Sequence, residues 1–204
     1  MKFNLVKYFA FFFCASLPVR ALSDPLPPVI PQNQYLAALD YFRNGGQSGC
    51  GLRITGVTGD NLLINVLVMV SMRESGDLFG MFKVEPKKII MRNDKPLILD
   101  GRVVYSSAGK VHKGWIRTDS GFQFMADKDA GSQHNDGYMA PMEFYNAINL
   151  LIAIQQENFR VGFYRKKDEM EEVYEFNERI TQNEADKLSS CMKSLKDARE
   201  GKGL

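Results

Sequence analysis

Histidine, the usual proton carrier of hydrolytic sites, occurs only as His112 and His134. No Gly-x-Ser-x-Gly elbow, His-Glu-x-x-His pair, phosphate-cradling glycine loop or Cys-x-x-Cys pair accompanies them. The common nucleophilic, zinc, nucleotide and dithiol chemistries therefore have no basis in the sequence. Ser48 in "GQSGCG" has the wrong flanks for a nucleophile elbow, and its glycines read better as a flexible lead into Cys50. No asparagine opens an Asn-x-Ser/Thr acceptor, which together with a short leader tilts the reading toward a bacterial envelope or secreted protein. A strong excess of Lys and Arg is also missing, which excludes a broadly basic nucleic-acid surface.

What is present begins with an export address. Lys2 and Lys7 precede an apolar run at residues 8–17, followed by Pro18 and "VRALSD". There Ala21 and Ser23, or Val19 and Ala21, are the small residues a signal peptidase reads. The run is about half the length of a spanning helix, so cleavage after a leader of residues 1–23 is expected, with no stable membrane span afterwards. Cys14 leaves with the leader. Cleavage removes three of the 26 bases and none of the 24 acids, so the mature chain is near neutral at about −1.

Two cysteines then remain, Cys50 and Cys191. In an oxidising compartment an even count with no other partner leaves one connectivity. A Cys50–Cys191 bridge would close nearly the whole mature chain into a ring, worth roughly 5 kcal/mol in the chain-entropy picture. It would also consume the thiol that a Cys50 nucleophile, with His112 or His134 as base, would need.

The mature length, with no internal repeat or composition break, suits one domain at residues 35–199. A proline-rich extended arm at 24–34 precedes it and a disordered tail at 200–204 follows. "QYLAALDYFRNGG" places Tyr35, Ala38, Leu39 and Phe42 at helical spacing before Gly45 and Gly46, predicting a first short helix. "NLLINVLVMVSM" alternates as a central strand, with Leu67 and Met69 adding apolar weight to its second side. In "DLFGMFKVEP", Pro86 is expected to end a strand or mark an edge.

Asp100-Gly101 in "PLILDGRVVY" is the pair a two-residue type I′ hairpin takes, and "KGWIRTDSGFQFMA" turns at Asp119-Ser120-Gly121. Phe144, Ala147, Ile148, Leu151 and Ile154 form a helical stripe, with Pro141 in the first turn. "FRVGFYRKKDEMEEVYEF" reads as a hairpin with a charged, solvated tip. Thr181 and Glu184 form a capping box that opens a helix striped by Ala185, Leu188, Met192 and Leu195, beside which Cys191 can face the sheet. The expected fold is α+β: a single curved antiparallel meander with about three packed helices and one disulfide.

Chemistry-bearing candidates are few. In "MADKDAGSQHNDGYMA", Asp127, Asp129, Ser132 and Asp136 resemble the start of a calcium loop. The pattern fails at Gly131, Ser132 and Tyr138, where it needs an oxygen ligand, Gly and Glu, so no metal or cofactor is implied. The length of the stretch suits a recognition loop offering His134, Asn135, Asp136 and Tyr138 to a partner. Trp115 is expected to anchor the core.

These features favour an exported, periplasmic, non-enzymatic protein that binds another envelope protein, in its sharpest form an immunity-type protector against an envelope-targeted toxin or hydrolase. One alternative is an assembly accessory of a secretion or conjugation machine, docking through the arm. Another is a hydrolase working through Asp127 with Asp136 or Glu143.

Overall fold

A computed structural model of the protein describes residues 27–43, 46–125, 132–134, 136–165 and 171–201. The leader assigned to residues 1–23 lies outside them. The chain opens with four long strands, β1 (Asn33–Arg43), β2 (Gly46–Val57), β3 (Leu62–Met72) and β4 (Leu78–Ile89). Short pieces follow: β5 (Met91–Arg92), β6 (Lys95–Pro96), β7 (Ile98–Leu99), β8 (Arg102–Val103), β9 (Tyr105–Ser107), β10 (Lys113–Thr118) and β11 (Gln123–Met125). The last third holds β12 (Ser132–His134), β13 (Gly137–Met142), α1 (Phe144–Gln156), β14 (Phe159–Tyr164), β15 (Glu172–Phe176) and α2 (Gln182–Arg199).

The architecture is α+β and mostly antiparallel, with Cys50 bonded to Cys191. Two expectations need correction. The described residues hold two helices, not about three, and the strands form two main sheets, not one. The larger sheet has seven strands in the order β1-β2-β3-β4-β13-β12, with β9 also on β4; the smaller runs β11-β10-β14-β15.

The missing helix is β1. Its sequence carries a period-2 pattern as well as the helical one, with Leu36 buried and Ala38 packed on the core. Pairing along β2 from Asn33↔Val57 to Arg43↔Gly46 decides between them, leaving Tyr35 and Phe42 of the supposed helical stripe exposed.

One side of the large sheet carries the core. Ile64, Val66, Val68 and Val70 of β3 are fully buried on it, beside Cys50, Leu52 and Ile54 of β2 and Phe82 and Val84 of β4. Both helices and the smaller sheet pack against this side. Helix α1 comes close because Gly80 has no side chain; a Cβ there would lie 2.4 Å from that of Ala147. The smaller sheet adds Ile116, Phe159, Val161, Phe163 and Phe176, all fully buried. Two facing apolar sheets bury what one open meander would leave wet, at about 1.5–3 kcal/mol per large side chain.

The prolines sit where a ladder can spare a donor. Pro86 does not end β4. It pairs with Ile64 on β3, and on the other side it falls between the last partner on β13, at Val84, and the first on β9, at Lys87. Pro141 belongs to β13, opposite Met81, and not to the first turn of α1. The arm, where described, is tied down: Val29 N–H donates to the Val173 carbonyl at 2.8 Å, and the Val29 carbonyl accepts from Glu175 N–H at 2.9 Å. Residues 33 and 34 already belong to β1.

Between β4 and β9 the chain leaves both layers. The β5–β6 and β7–β8 hairpins and the β4–β9 ribbon meet at Ile90, Leu97 and Val104, whose backbones form a closed ring of hydrogen bonds. Ile90 N–H donates to the Val104 carbonyl at 3.0 Å, Val104 to Leu97 at 2.9 Å and Leu97 to Ile90 at 2.8 Å. The expected Asp100-Gly101 turn is there, with φ of 50° and 72°, as a type I′ pair requires. Asn93-Asp94, with φ of 52° and 59°, makes a second such turn. The β10–β11 hairpin also turns as expected, with Gly121 at φ 87°.

Candidate interaction surfaces

Cys50 on β2 and Cys191 on α2 are both buried, with Cα atoms 5.8 Å apart across the bridge. A bonded Cys50 supplies no thiolate, which ends its reading as a nucleophile. His112 is exposed.

The candidate loop at residues 127–140 is divided. Asp127, Asp129 and Asn135 lie outside the described residues, and His134 and Ser132 are described only as backbone of β12. Asp136 stands between β12 and β13, where its carbonyl accepts from Val111 N–H at 2.9 Å. Tyr138 is 1% exposed, in the core, so it offers nothing to a partner. Strand alternation explains this: Tyr138 shares the inward side of β13 with Ala140 and Met142, both buried. Among the described residues, no group of three His, Cys, Asp or Glu side chains could hold a metal ion.

Trp115 is not a core anchor either. It lies on the outward side of β10, half-buried, with its indole over Gly162 on β14 and its N–H donating to Glu171. Arg117 packs above it, 5.8 Å from the ring centre.

The second side of the large sheet is the notable surface. Register across β2, β3, β4 and β13 aligns Arg53, Leu67, Lys83 and Met139 in one row. The rows beside it are Leu39, Gly51, Met69, Met81 and Pro141, and then Thr55, Asn65 and Glu85. Leu63 and Met69 are buried but stand apart from the core cluster, because they are on this other side. Arg53, Asn65, Leu67, Lys83, Glu85 and Lys87 line a concavity of about 280 Å³ here.

Glu85 is one of its lining residues, bonded to Lys83 at 3.1 Å and Lys87 at 3.2 Å. Burial pushes its carboxyl up, but the hydrogen bonds and charges of the two lysines together outweigh this and hold it below the ordinary carboxylate value. Arg53 is exposed and has no carboxylate partner among the described residues, which leaves a positive edge beside the apolar rows.

The sequence offered half of this signal, in the apolar second side of β3. The other half, the alternation of Phe79, Met81, Lys83, Glu85 and Lys87 on β4, has no meaning until register places it beside β3. Comparisons with protein-family models, curated proteins and solved structures find no match to this chain.

Proposed function

We propose that the protein is an exported, non-enzymatic binding protein of the bacterial envelope, which holds another protein against the second side of its large sheet. The observation that carries this reading is the makeup of that surface: Met81, Met139, Leu39 and Leu67, around a buried Met69, beside Arg53, Lys83 and Glu85. Interfaces are enriched in methionine, aromatic and arginine side chains around an apolar centre. Five strands about 4.8 Å apart, with β3 some 35 Å long, give roughly 800 Å², about what one partner contributes to a standard interface. The disulfide is compatible with the oxidising compartment the leader suggests.

An immunity-type protector is the sharpest form of this reading, because covering a toxin or hydrolase needs shape and charge but no catalytic group. The accessory reading is the alternative; in its docking arm the backbones of Val29, Gln32, Asn33 and Gln34 are engaged within the chain, while the side chains of Val29 and Ile30 are exposed.

The test is site-specific photo-crosslinking in the producing cell, with the crosslinker at Leu67 or Met81 and a control at Tyr145. Tyr145 is 74% exposed on α1, which packs on the opposite side of the sheet. One protein should be captured from the first two positions and not from the third, and Arg53→Glu with Lys83→Glu should weaken that complex at least about tenfold. Equal capture from Tyr145, or no capture at all, would remove this surface from the account.

A further inference from the structure

The β5–β8 lobe is covered by neither layer of the domain. No residue from 91 to 107 is buried, and Ile98 and Leu99 are 58% and 57% exposed, with Met91 and Tyr105 also open. A two-stranded hairpin is marginal in water by itself, yet here two are held by the backbone ring at Ile90, Leu97 and Val104. Directly opposed residues of an antiparallel pair share a face. Ile98 therefore shares a face with Val103, and Met91 with Pro96, while Arg92 lies with Lys95 on the reverse. Leu99 lies with Arg102. Each finger thus has one apolar face and one basic or mixed face.

Charge is also segregated. Residues 88–107 hold four bases, Lys88, Arg92, Lys95 and Arg102, against two acids, Asp94 and Asp100, which is +2. The entire chain carries +2, so this segment accounts for the whole of its net charge. Among the described residues, Lys88, Arg92, Lys95 and Arg102 have no carboxylate partner.

We propose that this lobe docks the protein on an anionic lipid bilayer. The apolar faces at Met91/Pro96 and Ile98/Val103 settle into the headgroup boundary, while Arg92, Lys95 and Arg102 reach phosphate oxygens. Amphipathic elements with basic residues on the polar side lie in the interface in this way. The turn acids Asp94 and Asp100 sit at the finger ends, where they can stay in water. A bilayer fits better than a protein surface. The lobe presents two thin ribbons, and a fluid headgroup layer can close around such ribbons where a rigid partner would need two matching slots. None of these residues belongs to the surface proposed for protein binding, so the two readings stand or fall separately.

The test uses the exported chain with its disulfide intact, sedimented with vesicles of phosphatidylcholine alone or mixed with phosphatidylglycerol. Retention is expected on the anionic vesicles only, and should fall as salt rises. Reversing Arg92, Lys95 and Arg102 to Glu should weaken it on the order of 100-fold, at about fivefold per base. Met91→Asp with Ile98→Asp should weaken it at least about tenfold. Since no lobe residue is buried, both variants should unfold at the wild-type temperature, which confirms that the fold is intact. Failure to bind anionic vesicles, or binding that neither variant changes, overturns the proposal.

Discussion

Glu85 is the residue whose surroundings say most about the second side of the large sheet. Its side chain is 10% exposed, between Lys83 and Lys87, and those lysines hold its folded pKa below the ordinary value. A depressed carboxylate stabilises the native state above the unfolded pKa of about 4.3, and that contribution is lost as pH falls through the lower folded value. Glu85→Gln should therefore destabilise the protein by about 1 kcal/mol at neutral pH, a modest figure because both lysines stay partly solvated. In urea titrations at a series of pH values, the gap between variant and wild type should close on the acid side. A gap that stays constant with pH would show that the lysine pairs are not its source. Little of this was readable beforehand: three charged residues alternate along β4, but only the sheet register puts them beside Arg53 and Asn65.

At the scale of the element, β14 and β10 are joined by a fit that sequence did not announce. Gly162 faces Trp115 across the pair, and a Cβ there would meet the indole at 2.2–2.4 Å. Gly162→Ala should push the ring off the strand and break its bond to Glu171, costing about 1–3 kcal/mol. Trp115 is the chain's one tryptophan, so its fluorescence reports this place alone; an unchanged spectrum and an unchanged urea midpoint would count against the packing.

Other elements show where local pattern sufficed. The Asp100-Gly101 hairpin, the β14–β15 pair and the helix opened by Thr181 all form where expected, because turn and cap chemistry is set by a few neighbouring residues. The capping box is only half made. Thr181 accepts from Glu184 N–H, but the Glu184 carboxylate takes Ala38 N–H of β1 at 2.7 Å and a bond from Lys187. The Lys187 bond and then the Ala38 bond hold its pKa below the ordinary value. An edge strand with a free donor won over the helix's own start.

For the whole molecule, the Cys50–Cys191 bridge spans a sequence separation of 141 residues and joins α2 to the inner side of β2. A loop of that size is worth up to about 5 kcal/mol in the chain-entropy model. Replacing both cysteines with alanine should lower the urea midpoint accordingly, and reductant should bring the wild type close to the variant. If reductant leaves the wild-type midpoint unmoved, the bridge adds no stability. By itself the sequence determined the disulfide partners, the α+β class, the hairpin turns and the last two helices, because each depends on a count, a short spacing or a local φ preference. Tertiary structure alone decided that residues 33–43 pair as a strand, that the strands divide into two facing sheets, and that Tyr138 turns inward while Trp115 turns outward. Those outcomes depend on which strand lies beside which, and β13 returning to β4 across more than fifty residues is a long-range pairing that local periodicity does not encode.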